Sequence, residues 1–141
     1  MRLVPKLSLD DANSIVSACI DKAAEIEVDM DIAVTDDGGH LIAFQRMDGA
    51  RITSINISID KAFTASAARK STREYGQSGQ PGQPAYGINT SSQGRFSLIA
   101  GGIPLFAEGV IVGGIGCSSG HPDQDEVVAQ AGVDRFMEII A

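Results

Sequence analysis

The stretch from Gly94 to Gly120, GRFSLIAGGIPLFAEGVIVGGIGCSSG, restricts the possible folds more than any other part of the chain. Three apolar runs in it, Arg95–Ala100, Ile103–Ala107 and Val110–Cys117, are separated by the turn residues Gly101-Gly102 and Glu108-Gly109. Short turns between apolar runs are the signature of antiparallel hairpins. Pro104 has no N–H to give to a ladder, so its strand belongs at a sheet edge or pairs only past the proline. Gly113, Gly114 and Gly116 interrupt the last run. Glycines inside a strand mark a bulge or a close approach by another backbone or a ligand. The expectation is a three-stranded meander with one face holding space open.

Upstream, Ser8 reads as an N-cap with Asp10 and Asp11 in the first turn. Leu9, Ala12, Ile15, Val16, Cys19 and Ile20 recur at helical spacing, so a helix is predicted from Leu9 to about Glu27. Asp31–Asp36 and His40–Met47 flank the turn Asp37-Gly38-Gly39 and read as a hairpin. Ile55, Ile57 and Ile59 alternate like a strand, yet Ile52, Ile55, Ile59, Ala62 and Phe63 keep helical spacing. Without Gly or Pro from Thr53 to Lys70, the run is too long for a typical strand, and a buried helix is predicted. Ser71–Gln93 is rich in Gly, Pro, Ser and Gln and reads as a long loop, with Tyr75, Tyr86 and Ile88 pinning it to the body or to a neighbouring subunit. Pro122, Asp123, Asp125 and Glu126 suit the start of a final helix. The order α-β-β-α-loop-β-β-β-α predicts one α+β domain over residues 1–141, built on a five-stranded antiparallel sheet with flanking helices.

Composition removes several function classes. The net charge of −7 has no basic cluster to offset it, which argues against a nucleic-acid partner. No window approaches the ~18 apolar residues of a membrane span. The N-terminus has no apolar signal core, so a cytoplasmic protein is expected. Cys19 and Cys117 are far apart and read as buried free thiols. His40 and His121 have no second ligand at metal-site spacing, so no metal centre is expected.

Several side chains carry candidate chemistry. Lys61, flanked by Ile59, Ala62 and Phe63, either presents its ammonium to a carboxylate, works as an acid or base, or snorkels to water. Arg46 and Asp48 either clamp an anionic ligand or form a turn ion pair. His40 is either a proton donor or an exposed turn residue. Asp125 and Glu126 serve the helix start, or one of them protonates a substrate.

The segments VTDDGGHLIAFQRMDGA, SIDKAFTASAARKST, FSLIAGGIPLF and GVIVGGIGCSSGHPDQDEVVAQAG, in this order, resemble the GlcG/HbpS-like family from Leu7 to about Phe136. The resemblance implies a profilin-like sheet and self-association from dimers up to octamers. Members include haem-binding proteins, the C-terminal domain of propanediol-utilisation adenosyltransferases and a 4-hydroxylaminobenzoate lyase. Haem is therefore a candidate cofactor. Haem-binding members use histidine, in some cases from the first helix; that helix has none here, leaving His40, His121 and Met47 as conceivable axial ligands. The family-like positions include Arg46, Asp48, Asp60, Lys61, Thr64, Gly101 and Gly102, expected to line one pocket with Lys61 and Arg46 as its cations. Three functions follow as expectations: a small-ligand-binding oligomer for an organic anion or haem, a cofactor-free lyase or isomerase with Lys61, His40, Asp125 or Glu126 as catalytic groups, or an assembly protein without ligand.

Overall fold

A computed structural model describes residues 1–141. Its elements are α1 (Leu9–Glu25), β1 (Asp31–Asp36), β2 (Leu41–Arg46), α2 (Ser54–Ala68), α3 (Thr72–Ser78), β3 (Gly102–Ala107), β4 (Val110–Ser118) and α4 (Pro122–Ile140), with two 3₁₀ turns at Ile88–Thr90 and Ser92–Gly94. The fold is α+β, and every strand pairing is antiparallel, in the order β2-β1-β4-β3. No helix is long and apolar enough to cross a membrane.

Local chemistry accounts for the boundaries. Ser8 and Asp11 close a reciprocal capping box on α1. Glu108 and Gly109 both take positive φ, 52° and 76°, which matches the two-residue turn that suits the twist of β3 and β4. Pro104 sits in β3, an edge strand, where a missing N–H costs no second ladder. His121 caps α4 and Pro122 occupies its first turn.

Two expectations need correction. The sheet has four strands, not five, because Arg95–Ala100 is not a strand. Its backbone is held by side chains and close packing instead of a ladder: Ser97 N–H donates to Thr64 Oγ1 at 2.8 Å, and Gly76 of α3 lies directly against the Leu98 carbonyl. The Ser71–Gln93 segment is not one loop either, since it opens with α3. Ser71 caps that helix by accepting from Glu74 N–H, and the Tyr75 ring packs 5.6 Å from that of Phe96. Tyr86 is exposed, so it does not pin the segment to the body of its own chain.

The two faces of the sheet are covered differently. On one, Ile32, Val34, Ile115 and Cys117 join Ile15, Val16 and Cys19 of α1 and Val128, Ala129 and Phe136 of α4 in the apolar core. Both cysteines are free and buried there. On the other, α2 rests on the strands at backbone distance. A Cβ at Gly114 would lie 2.5 Å from the Ala62 carbonyl, and one at Gly102 2.6 Å from that of Lys61. Thr35 Oγ1 seals this contact by donating to the Ala62 carbonyl at 3.2 Å. Gly102, Gly114 and Gly116 thus make room for a helix backbone, not for a ligand.

Candidate functional site

Lys61 leaves α2 toward the sheet and ends in a sealed polar centre. Its ammonium donates to the Cys117 carbonyl and to Asp125 Oδ2, each at 2.9 Å. The other carboxylate oxygen of Asp125 accepts from Gly120 N–H at 2.9 Å. The two side chains are 1% and 3% exposed. Burial pushes the Asp125 carboxyl up from its ordinary value, and Lys61 opposes that shift. Gly101 adopts φ 129°, and a Cβ there would lie 2.8 Å from the Lys61 nitrogen. Gly102 donates its N–H to Thr72 Oγ1. Both glycines are buried. Lys61, Asp125, Gly101 and Gly102 therefore come together, but their centre is closed to solvent.

Arg46 and Asp48 lie elsewhere. They border a cleft of about 300 Å³ with Ile20, Asp29, Gln45 and Met47. With Lys61 sealed between α2 and the sheet, the pocket expected to hold both cations does not form within one chain. His40 is exposed on the β1–β2 turn, with Nδ1 3.4 Å from Asp36. Glu126 faces away from Lys61 and, with Asp123, holds the Arg73 guanidinium.

Asp60 and Thr64 lead to a different cleft. It measures about 310 Å³ and lies between α2 and the 95–99 segment, bordered by Ile57, Asp60, Asn89, Arg95, Phe96 and Ile99. Arg95 Nε donates to Asp60 Oδ1 at 3.1 Å, and the guanidinium lies 4.0 Å from the Phe63 ring centre. The two contacts hold a flat cation in place and leave its terminal nitrogens without a protein partner. A guanidinium presented this way suits a carboxylate. Thr64 is buried and braces the wall, donating to the Asp60 carbonyl at 2.7 Å while accepting from Ser97. Sequence reasoning missed Arg95 because it placed that residue at the start of a strand. The available signal was an Arg-Phe pair following a Gly- and Ser-rich turn.

Asp31 was also passed over. It is fully buried at the start of β1, and neither carboxylate oxygen has a hydrogen-bond partner. Burial pushes its pKa up, and Arg46, opposite it in the β1–β2 register, offsets part of the shift. The folded chain thus holds this proton more tightly than the unfolded one. Stability contributed by the group is complete below the ordinary value of 3.8 and is lost as pH rises through the raised folded value. Asp31→Asn is expected to gain on the wild type progressively across that window, by about 1–3 kcal/mol above it. Urea midpoints of both proteins from pH 4 to pH 8 check this; parallel curves would show that Asp31 is not the cause.

The profile described as haem degrading protein HbpS-like matches residues 7–134. The chain belongs to the HbpS-like family. It is 36% identical over 136 residues to the uncharacterised 15.0 kDa protein of the dhaT-dhaS intergenic region of Citrobacter freundii, covering 96% of each chain. Among HbpS-like structures, Klebsiella pneumoniae protein ORFY superposes with a TM-score of 0.94 at 34% identity, covering 97% of this chain and 94% of the other. The PduOC–haem complex superposes with a TM-score of 0.89 at 30% identity, covering 93% and 95%.

That complex prompts a test of fit. Haem needs an axial donor beside an apolar slot. In this HbpS-like chain His40 and His121 stand exposed at turns. The Met47 sulfur accepts the Met30 N–H at 3.3 Å. Both cysteines are inside the core. The apolar-lined cleft at Arg95 contains no histidine, cysteine or methionine. Neither histidine, neither cysteine nor Met47 therefore stands free beside an apolar slot within one chain.

Proposed function

We propose that this chain is a binding protein for a small, largely apolar organic anion. The observation that carries the reading is the Arg95 guanidinium, fixed by Asp60 and Phe63 with its terminal nitrogens free beside Ile57, Phe96 and Ile99. A carboxylate pairs with such a fork through two parallel hydrogen bonds, and the apolar wall takes the body of the molecule. In this reading Asp60 and Thr64 position the site, while Lys61, Asp125, Gly101 and Gly102 hold together the fold that carries it. Arg46 and Asp48 border a separate cleft. No proton-transfer group stands beside Arg95 except Asp60, which its ion pair occupies, so binding is favoured over lyase chemistry.

Arg95→Met keeps the apolar stem and removes the charge. It is expected to weaken binding of aryl carboxylates such as phenylbutanoate about tenfold to a hundredfold, from the loss of charge-assisted hydrogen bonds. Isothermal titration at low salt measures this. Unchanged affinity in the variant would end the reading.

A second reading rests on the PduOC–haem complex: haem held between copies of the chain, with the axial donor supplied across the interface. Haem titration followed by absorption spectroscopy and native mass spectrometry tests it. A Soret band that saturates with haem on an oligomer, and is lost in His40→Ala or His121→Ala, is the result it requires.

A further inference from the structure

The chain arrives at Arg95 through a strained turn. Ser92, Gln93 and Gly94 take φ values of 50°, 59° and 77°, all in the left-handed region, and Arg95 returns to −77°. Gly94 adopts such a backbone without penalty. At Ser92 and Gln93 the Cβ crowds the following carbonyl, which disfavours the conformation by about five- to thirtyfold per residue. Both residues are exposed, so burial of their side chains does not repay the strain. Nor do the bonds of the turn itself. Gly94 N–H donates to the Ser91 carbonyl at 3.0 Å and Arg95 N–H to the Ser92 carbonyl at 3.1 Å. The mirror-image turn with ordinary negative φ makes the same bonds. What selects the left-handed form lies downstream, on α2. Arg95 Nε donates to Asp60 Oδ1 at 3.1 Å, its guanidinium lies 4.0 Å from the Phe63 ring centre, and Ser97 N–H donates to Thr64 Oγ1 at 2.8 Å. These contacts are modest. The Arg95 and Asp60 side chains are 37% and 31% exposed, and a pair that open to water contributes little. Two strained residues are thus set against a few weak tethers, and the two forms of the turn lie close in free energy.

We infer that residues 92–94 are a two-state positioning turn that regulates the Arg95 site. Left-handed, the turn presents the guanidinium to the cleft; relaxed to negative φ at Ser92 and Gln93, it withdraws it. The inference rests on the Arg95 reading and adds what governs the site's availability. A ligand that pairs with the presented guanidinium captures that form alone, so its apparent affinity falls in proportion to the fraction of chains that hold the turn. Ser92 and Gln93 are positioning residues here: they act through the backbone of Arg95 and need not touch the ligand.

Gln93 is the lever, because its exposed side chain can be exchanged without disturbing the packed wall. Glycine at this position removes the strain, and β-branched valine increases it. In calorimetric titration of phenylbutanoate into the full chain, Gln93→Gly is expected to bind about threefold to tenfold more tightly than the wild type, and Gln93→Val about tenfold more weakly. Ser92→Gly should repeat the gain, so the two glycine variants decide the matter if Gln93→Val does not fold. A second readout needs no ligand. Nuclear magnetic resonance relaxation dispersion of the free chain should show microsecond-to-millisecond exchange at the amides of residues 92–95, and Gln93→Gly should quench it. A merely structural role for the turn would change stability but leave no such exchange. Flat dispersion profiles in the wild type, or glycine variants that bind no more tightly than the wild type, overturn the inference. The Arg95 reading would then stand, provided that Arg95→Met still weakens binding. If Arg95→Met leaves the affinity unchanged, or the wild type does not take up the acid, the reading beneath the inference fails as well.

Discussion

Lys61→Met should destabilise the chain by about 3–5 kcal/mol, because it leaves the Asp125 carboxylate buried with Gly120 N–H as its remaining partner. For a domain of this size that is a large part of a net stability of roughly 5–15 kcal/mol. The fall in Tm should be about 10–20 °C. The loss should also depend on pH with a definite sign. Without the ammonium opposing it, burial raises the Asp125 carboxyl further above 3.8, so the variant's deficit grows as pH rises through that folded value. Removing both charges together, in Lys61→Met with Asp125→Leu, should recover most of the loss, since a buried pair replaced by apolar groups is often neutral. Urea denaturation of the single and double variants forms the cycle. A double variant no more stable than Lys61→Met would mean that the pair is not what Lys61 supports.

Gly116→Ala should be comparably severe for a different reason. A Cβ at this position would overlap the Ser58 carbonyl of α2 and come within 2.5 Å of Ala62 N. Both are backbone atoms of a helix, so no rotamer change relieves the clash and α2 must lift from the sheet. The expected cost is about 3 kcal/mol or more, at the upper end for overpacking. The lower backbone entropy of alanine returns only about 0.5–1 kcal/mol. Gly38→Ala is the control. There the nearest atom to a new Cβ is His40 Nδ1, at the end of an exposed side chain that can swing away. Thermal denaturation of both variants should separate them by more than about 10 °C. Equal melting temperatures would show that α2 is not held at backbone distance in solution.

These two sites mark what the sequence made legible and what it hid. The glycines of the Gly94–Gly120 stretch pointed to a close approach, and the resemblance grouped Lys61, Gly101 and Gly102 with Arg46, Asp48, Asp60 and Thr64, of which Arg46 and Asp48 lie at a separate cleft. Helical periodicity located α1 and α2 to within a few residues, because each buries a stripe at a fixed spacing, and Pro122 with its acidic neighbours marked the start of α4. The identity of the approaching object was not legible: the same glycines serve a helix backbone or a ligand. The strand assigned to Arg95–Ala100 failed because apolar content does not say whether Leu98 and Ile99 face a core or border clefts. Only the partners of the segment, Thr64 and Gly76, decide that, and they are distant in sequence. Arg95 was hidden for the same reason, since Phe63 and Asp60 become its neighbours only after α2 has docked. Asp31 looked like an ordinary strand-opening residue, and its missing partners are a property of the packed state.

The contrast between the two faces of the sheet has a mechanical meaning. Side chains between α1, α4 and the strands can change rotamer and so yield a little, whereas α2 meets the strands through main-chain atoms that have nothing to rotate. The wall of the Arg95 cleft on α2 is accordingly stiff, a fixed anvil referenced to the whole sheet. The opposite wall, residues 95–99, belongs to no ladder and is tethered at a few points such as Thr64 Oγ1 and the Gly76–Leu98 contact. Breathing of the Arg95 cleft is therefore one-sided. Amides of the 95–99 wall should exchange with solvent far sooner than those of β4, and an occupant of the cleft would damp the moving jaw without disturbing the anvil.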